Sequence, residues 1–149
     1  MYKITNEEVV NECAKLLGVP APKIELLDEE FFRTKTTTAA LSEDGKKIYL
    51  KDGVELRWGF FSIAHEMRHL WKMQHDPVVF GGYKATDEAE NVEAYNEQAA
   101  EIDANAWACL FMSSAFGIRP TLEASLGEEL WSKIIARGMA IINEERGEK

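Results

Sequence analysis

The sequence is poor in cysteine and positive charge, and it has no long hydrophobic run. Its two cysteines, Cys13 and Cys109, lie far apart and form no CxxC motif, so we expect small buried thiols in a reducing compartment and no disulfide or ligand pair. The longest apolar run is far below the ~20 residues that a membrane span needs, and the N-terminus has acids where a signal peptide is basic and apolar. These absences predict a soluble, cytoplasmic chain.

Basic residues are outnumbered, with 17 Lys and Arg against 26 Asp and Glu, for a net charge of -9. This charge repels a nucleic-acid backbone, and no run of basic residues overrides it, so we predict no direct nucleic-acid binding. A length of 149 residues with 46% hydrophobic residues suits one core and leaves little room for a second. We therefore predict a single domain over residues 1–149 and leave its oligomeric state open.

The first third of the sequence indicates one helix and a small sheet. A capping-box pattern at Thr5 and the apolar repeat after it predict a helix that ends at Gly18. Residues 23–29 (KIELLDE) are typical of a short strand, and residues 36–52 are typical of a hairpin with an Asp-Gly turn. These patterns predict a small antiparallel β-meander.

The rest of the sequence is mainly helical in pattern. Residues 55–74 are apolar nearly all round, as expected of a buried central helix. Residues 76–91 form a long connection of a kind that is often functional. One further helix is predicted from about residue 92 to residue 116, and another is predicted to fill much of residues 121–146. The fold class is therefore predicted to be α+β, with the meander followed by a buried helix and further helices.

The central helix carries the H-E-x-x-H pattern in His65-Glu66-Met67-Arg68-His69. Residues four apart stand on one face of a helix, so the imidazoles of His65 and His69 can share one metal ion. Glu66 lies about 100° round the helix, where its carboxylate can reach a water beside the metal rather than the metal itself. The motif therefore predicts a catalytic metal site.

A catalytic zinc usually takes a third protein ligand, and His75 is one contender. Its distance from His65 matches that of H-E-x-x-H-x-x-G-x-x-H proteases, but Lys72 occupies the glycine position. Without a break in the helix, His75 lies about 9 Å along the axis from His69 and about 240° round it. We therefore predict that His75 is not a ligand.

The favoured third ligand is Glu101. Ala104, Asn105 and Ala108 follow it on the same helical face, and these small side chains let the helix approach the histidines closely. Glu97 on the same face and Asp103, about 200° away from Glu101, remain weaker rivals.

Other side chains could support such a site. Asn105 is expected to orient a ligand imidazole, or Asp103 if the helix is rotated. Tyr83 or Tyr95 could donate to the oxyanion, although each is more typical of a packing tyrosine. The edge of the predicted hairpin could pair with an extended peptide substrate.

Three segments together resemble the ImmA/IrrE family of small HExxH metallopeptidases: the strand pair of residues 36–50, FFSIAHEMRHLW and the later EIDANAWACLFM. The resemblance covers roughly residues 36–112 and implies a zincin-like fold. It also implies zinc held by His65, His69 and Glu101, with Glu66 catalytic. Arg68 stands where that family usually has a small residue.

The expected function is thus a zinc-dependent peptidase acting on a protein substrate, and the resemblance points to a DNA-binding repressor. Two alternatives stay open. One is a non-catalytic, zinc-stabilised interaction module, which would not need Glu66. The other is a zinc hydrolase of a non-peptide amide.

Overall fold

The computed structural model describes residues 4–28, 30, 39–75, 98–122 and 126–145. Four helices and a small three-stranded mixed sheet in these ranges make the protein a mixed α+β fold, as predicted. Within the same ranges, no helix is both long and apolar enough to cross a membrane.

Helix α1 spans Asn6–Leu17 and has the predicted capping box. The Thr5 hydroxyl accepts from the Glu8 N–H at 3.2 Å, and the Glu8 carboxylate accepts from the Thr5 N–H at 3.3 Å. Gly18 ends the helix with a φ of 68°, a left-handed conformation that glycine adopts without a steric cost. The buried face of α1 is apolar and comprises Val9, Val10, Cys13, Ala14 and Leu17.

The sheet consists of β1 (Lys23–Leu27), β2 (Ala39–Leu41) and β3 (Lys47–Lys51), in the order β1-β3-β2. The predicted hairpin is present, because β2 and β3 pair antiparallel with Ala39 opposite Leu50. The all-antiparallel meander is wrong, because β1 pairs parallel to β3. Residues 28–38 between β1 and β2 are too many for the tight turn of a meander, and the more buried β3 takes the central place.

The turn between β2 and β3 lies against the next helix. The Ser42 hydroxyl donates to the Asp44 carboxylate at 2.7 Å, and the Lys46 N–H donates to the same oxygen at 3.0 Å. Gly45 has a φ of 71°, and a Cβ atom there would lie 2.8 Å from Leu70 Cδ1 and 3.0 Å from Met73 Cε. The turn therefore favours glycine for its backbone conformation, and a side chain there would also have to displace the ends of Leu70 and Met73.

The remaining helices are α2 (Leu56–His75), α3 (Ala99–Phe116) and α4 (Glu128–Glu145). Helix α2 is within one residue of its predicted bounds at each end. The predicted start of α3 is wrong where the structure describes it, whereas α4 fills much of residues 121–146, as predicted. Gln98 is non-helical with a ψ of 139°, and Gly127 has a φ of 91°, so α3 and α4 begin after these residues.

One hydrophobic core joins the helices and the sheet. Its most enclosed side chains include Ile48 of β3, Ile63 and Met67 of α2, Met112 of α3 and Ile134 of α4. Both cysteines are free thiols, and burial raises the pKa of the Cys109 thiol to about 11. An unreactive, packed role for them agrees with the sequence analysis.

Candidate metal centre

Helices α2 and α3 bring three of the predicted site residues together. His65 and His69 lie one turn apart on α2, and their Nε2 atoms are 3.1 Å from each other. Glu101 lies in the first turn of α3, where its Oε2 is 2.8 Å from His65 Nε2 and its Oε1 is 3.1 Å from His69 Nε2. Ala104 and Ala108, both fully buried, line the same face of α3 and let it lie close to α2.

The three side chains could hold a metal ion. Each offers one ligand atom, and these atoms all lie within 4.8 Å of one another. Two imidazole nitrogens and a carboxylate oxygen directed at the same point form a donor set that suits a divalent transition metal. The residues present therefore fit the metal that the motif predicts.

The electrostatics of the three side chains reflect their closeness. Burial lowers the pKa of His65, but the charge and hydrogen bond of Glu101 outweigh it and raise the pKa to about 9. Burial raises the pKa of Glu101, yet the two imidazoles hold it well below its usual range. The carboxylate is therefore ionised at neutral pH, as a metal ligand must be.

Asn105 lies one turn after Glu101 on α3 and is buried. Its Oδ1 is 2.8 Å from His65 Nδ1, so the ring can donate a hydrogen bond to the amide oxygen. That bond favours the tautomer in which Nε2 carries the lone pair that a metal would need. Of the two residues predicted to orient a ligand imidazole, Asn105 contacts His65, whereas Asp103 contacts Arg68.

Glu66 is 8% exposed and is not one of the three converging donors. Burial raises the pKa of its carboxyl, while the neighbouring His69 and His65 and a hydrogen bond from the Leu41 backbone N–H oppose the rise. The net direction of the pKa shift is upward, because burial outweighs the two imidazoles. Leu41 belongs to β2, so this strand lies beside the Glu66 carboxylate.

The structure places His75 away from this cluster. Helix α2 is unbroken to His75, whose Nδ1 lies 2.9 Å from the backbone oxygen of Trp71. The His75 ring also stacks on the Trp71 ring, with centroids 4.9 Å apart. Glu97, Tyr83 and Tyr95 lie outside the described residues, so their predicted roles stay predictions.

Arg68 and Asp103 form a contact that the sequence analysis missed. Arg68 Nε donates to Asp103 Oδ2 at 2.7 Å and Arg68 Nη2 donates to Oδ1 at 3.1 Å, with both side chains buried. Burial raises the pKa of Asp103, but Arg68 and Arg137 outweigh it and lower the pKa overall. An arginine inside an apolar helix was the available signal, because a buried guanidinium requires an acidic partner.

Comparison of the chain with protein-family models, curated protein sequences and solved structures finds no match. The functional conclusion therefore depends on the residues and geometry described above.

Proposed function

We propose that the protein is a zinc-dependent peptidase. The observation that carries the proposal is the convergence of His65, His69 and Glu101 beside a buried glutamate, Glu66, that is not part of the cluster. A site that only stabilised the fold would need the three ligands and no adjacent carboxylate. The zincin-like character of the fold and membership of the ImmA/IrrE family belong to this proposal.

Zinc is the metal that this donor set favours. Structural zinc sites usually have four protein ligands, whereas catalytic sites have three and leave one position open. Two histidines and one glutamate are a known catalytic combination. When bound, zinc lowers the pKa of a coordinated water and polarises a carbonyl oxygen.

Glu66 supplies the proton transfers in this proposal. As water attacks the carbonyl carbon of the substrate, the Glu66 carboxylate accepts one proton from it. When the C–N bond breaks, the same carboxyl passes that proton to the leaving amine. The burial of Glu66 beside the three converging side chains supports both transfers.

The position of β2 supports a peptide as substrate. Among the described strands, β2 pairs only with β3, so its other side is an edge. Ser42 N–H donates to Lys47 oxygen across the hairpin, and the alternation of an antiparallel strand then directs the N–H and C=O of Ala39 and the C=O of Leu41 to that edge. The Leu41 N–H on the same side is directed at Glu66. An extended peptide can hydrogen-bond such an edge, which lies next to Glu66.

The substrate class follows from the sequence resemblance. We propose a specific protein, such as a DNA-binding repressor, cleaved in the cytoplasm without contact between this chain and nucleic acid. Tyr83 and Tyr95 remain the proposed oxyanion donors.

Metal analysis of the purified protein is the first test. We expect about one zinc per chain and a fall in the melting temperature on chelation, because the ligands come from two helices that the metal would join. Protein that stays metal-free after zinc is offered would contradict the proposal.

Replacement of Glu66 by glutamine separates an enzyme from a binding module. Glu66→Gln keeps the size of the side chain and removes its ionisable group, so zinc content should be kept while cleavage falls by about 10² to 10⁴. The assay would compare wild type and variant on a repressor encoded nearby and on a peptide mixture, at equal zinc occupancy. Glu55→Gln, an exposed change just before the same helix, is the matched control.

Each outcome bears on the proposal. Equal cleavage by both proteins would remove Glu66 from the mechanism, and loss of zinc in Glu66→Gln would make Glu66 a ligand. Tight binding of a partner without cleavage by wild type would favour the interaction module, and cleavage restricted to non-peptide amides would favour the second alternative.

A further inference from the structure

The buried pair of Arg68 and Asp103 alternates with the metal-binding residues along both helices. Arg68 directly precedes His69 on α2, and Asp103 lies between Glu101 and Asn105 on α3. The pair therefore crosses the α2–α3 interface within one helical turn of the site.

Stability alone does not account for charges at this position. Arg68 is 4% exposed and Asp103 is 2% exposed, so both lose their hydration on folding. The attraction within a buried ion pair often only offsets that loss, and apolar residues of similar volume are often as stabilising or more so.

The geometry of the pair provides what an apolar contact would not. Two N–H···O bonds of 2.7 and 3.1 Å join one guanidinium to both oxygens of one carboxylate. Such a bidentate contact fixes both distance and orientation, whereas apolar side chains can slide. Sliding between α2 and α3 would move Glu101 away from the histidines, to which its oxygens are held at 2.8 and 3.1 Å.

Further contacts hold both members of the pair in place. Arg137 of α4 donates from Nε to Asp103 Oδ1 at 2.9 Å and from Nη1 to Glu144 at 3.0 Å. On the other side, the Arg68 guanidinium carbon lies 3.9 Å from the centre of the Trp71 ring. The network thus connects α4 to the interface that carries the ligands.

We propose that Arg68 and Asp103 are positioning residues that set α3 against α2 so that Glu101 meets His65 and His69 in a geometry ready for metal. The inference rests on the metal site of the proposed function and adds residues that are not ligands. Arg137 supports Asp103 from α4 in a secondary role.

The test separates fold stability from metal affinity. In the double variant Arg68→Met with Asp103→Leu, urea unfolding in excess chelator should show stability equal to wild type or higher. Zinc affinity of the full chain, measured by competition with a chromophoric chelator, should fall by about 10 to 100-fold. The visible spectrum of the cobalt-substituted protein should also change, because a displaced Glu101 alters the coordination.

Two further variants keep the test decisive. Arg68→Lys retains the charge and loses the bidentate contact, so it should weaken zinc binding with an unchanged circular dichroism spectrum even if the double variant does not fold. Lys47→Met removes one member of the exposed Lys47–Glu25 pair and should leave zinc affinity unchanged.

Zinc affinity and a cobalt spectrum equal to wild type in folded Arg68→Lys and in the double variant would overturn the positioning role while leaving the proposed peptidase intact. Wild-type protein that binds no zinc would contradict both. A loss of affinity fully explained by a loss of stability would reduce the pair to a structural contact and overturn the inference.

Discussion

The two sides of helix α2 contrast sharply. On one side, Ile63, Ala64, Met67 and Leu70 are at most 2% exposed and belong to the apolar core. The other side meets α3 through polar contacts of the buried Arg68 and His69 and of the partly buried His65. Apolar burial is non-directional and follows from spacing alone, whereas each polar contact depends on a particular partner on another helix. The first side should thus determine stability and the second should determine metal binding.

The apolar side can be tested most severely at Met67, which is fully buried. Met67→Ala should lower the free energy of unfolding by about 2 to 5 kcal/mol, because it removes buried methylenes and leaves a cavity. Urea unfolding in excess chelator measures this, with Met139→Ala, a change at a 63% exposed position, as the control. A similarly small loss of stability at both positions would show that the apolar side of α2 does not determine stability.

The polar side can be tested at Glu101, the proposed third ligand. Glu101→Ala should weaken zinc binding by at least about 100-fold, more than the loss of an outer hydrogen-bond partner, while His75→Ala should leave it nearly unchanged. Chelator competition measures both affinities. The reverse order of effects would mean that α2 breaks before His75 in the metal-bound protein.

Asn105 should have a smaller effect than a ligand. Asn105→Ala removes the acceptor for His65 Nδ1 and should cost about 10-fold to 100-fold in zinc affinity. Asn105→Asp, which keeps an acceptor oxygen, should bind zinc more tightly than Asn105→Ala. Equal affinities of the three proteins would remove the orienting role of Asn105.

The smallest effect is expected far from both sides, at the start of α1. Thr5→Ala removes the capping box and should lower the free energy of unfolding by about 1 kcal/mol without altering zinc affinity. Glu8→Gln, which keeps the hydrogen-bonding shape of the box, should cost less. A change in zinc affinity in Thr5→Ala would show that metal binding does not depend on the polar side of α2 alone.

Local patterns predicted much of the fold. The capping box at Thr5, the hairpin of β2 and β3 and the bounds of α2 depend on residues close together in the chain. The parallel pairing of β1 with β3 was not predicted, because it joins strands separated by β2 and no local signal specifies it. The start of α3 was placed too early, because periodicity does not mark the point at which the backbone leaves the helix at Gln98.

In the candidate site, too, local spacing predicted some contacts, whereas contacts between distant parts of the chain were not predicted. His65 and His69 come together through helical spacing alone. The small side chains that follow Glu101 on one face of α3 indicated Glu101 as their partner. The bond from Leu41 to Glu66 and the pair of Arg68 with Asp103 join distant parts of the chain, and a single sequence contains no record of such pairings. The same limit explains why Asp103 was considered as a ligand when its partner is a guanidinium.

For protein engineering, the turn at Gly45 is not a free loop. Surface hairpin tips are the usual places for inserted tags and randomised libraries, because exposed turns tolerate change. Here the backbone conformation excludes most side chains, and Leu70 and Met73 of α2 lie directly beneath the turn. An insertion there would press on the helix that carries both histidines through Leu70, the residue next to His69. Epitope tags and fluorescent fusions are therefore better placed elsewhere on the chain.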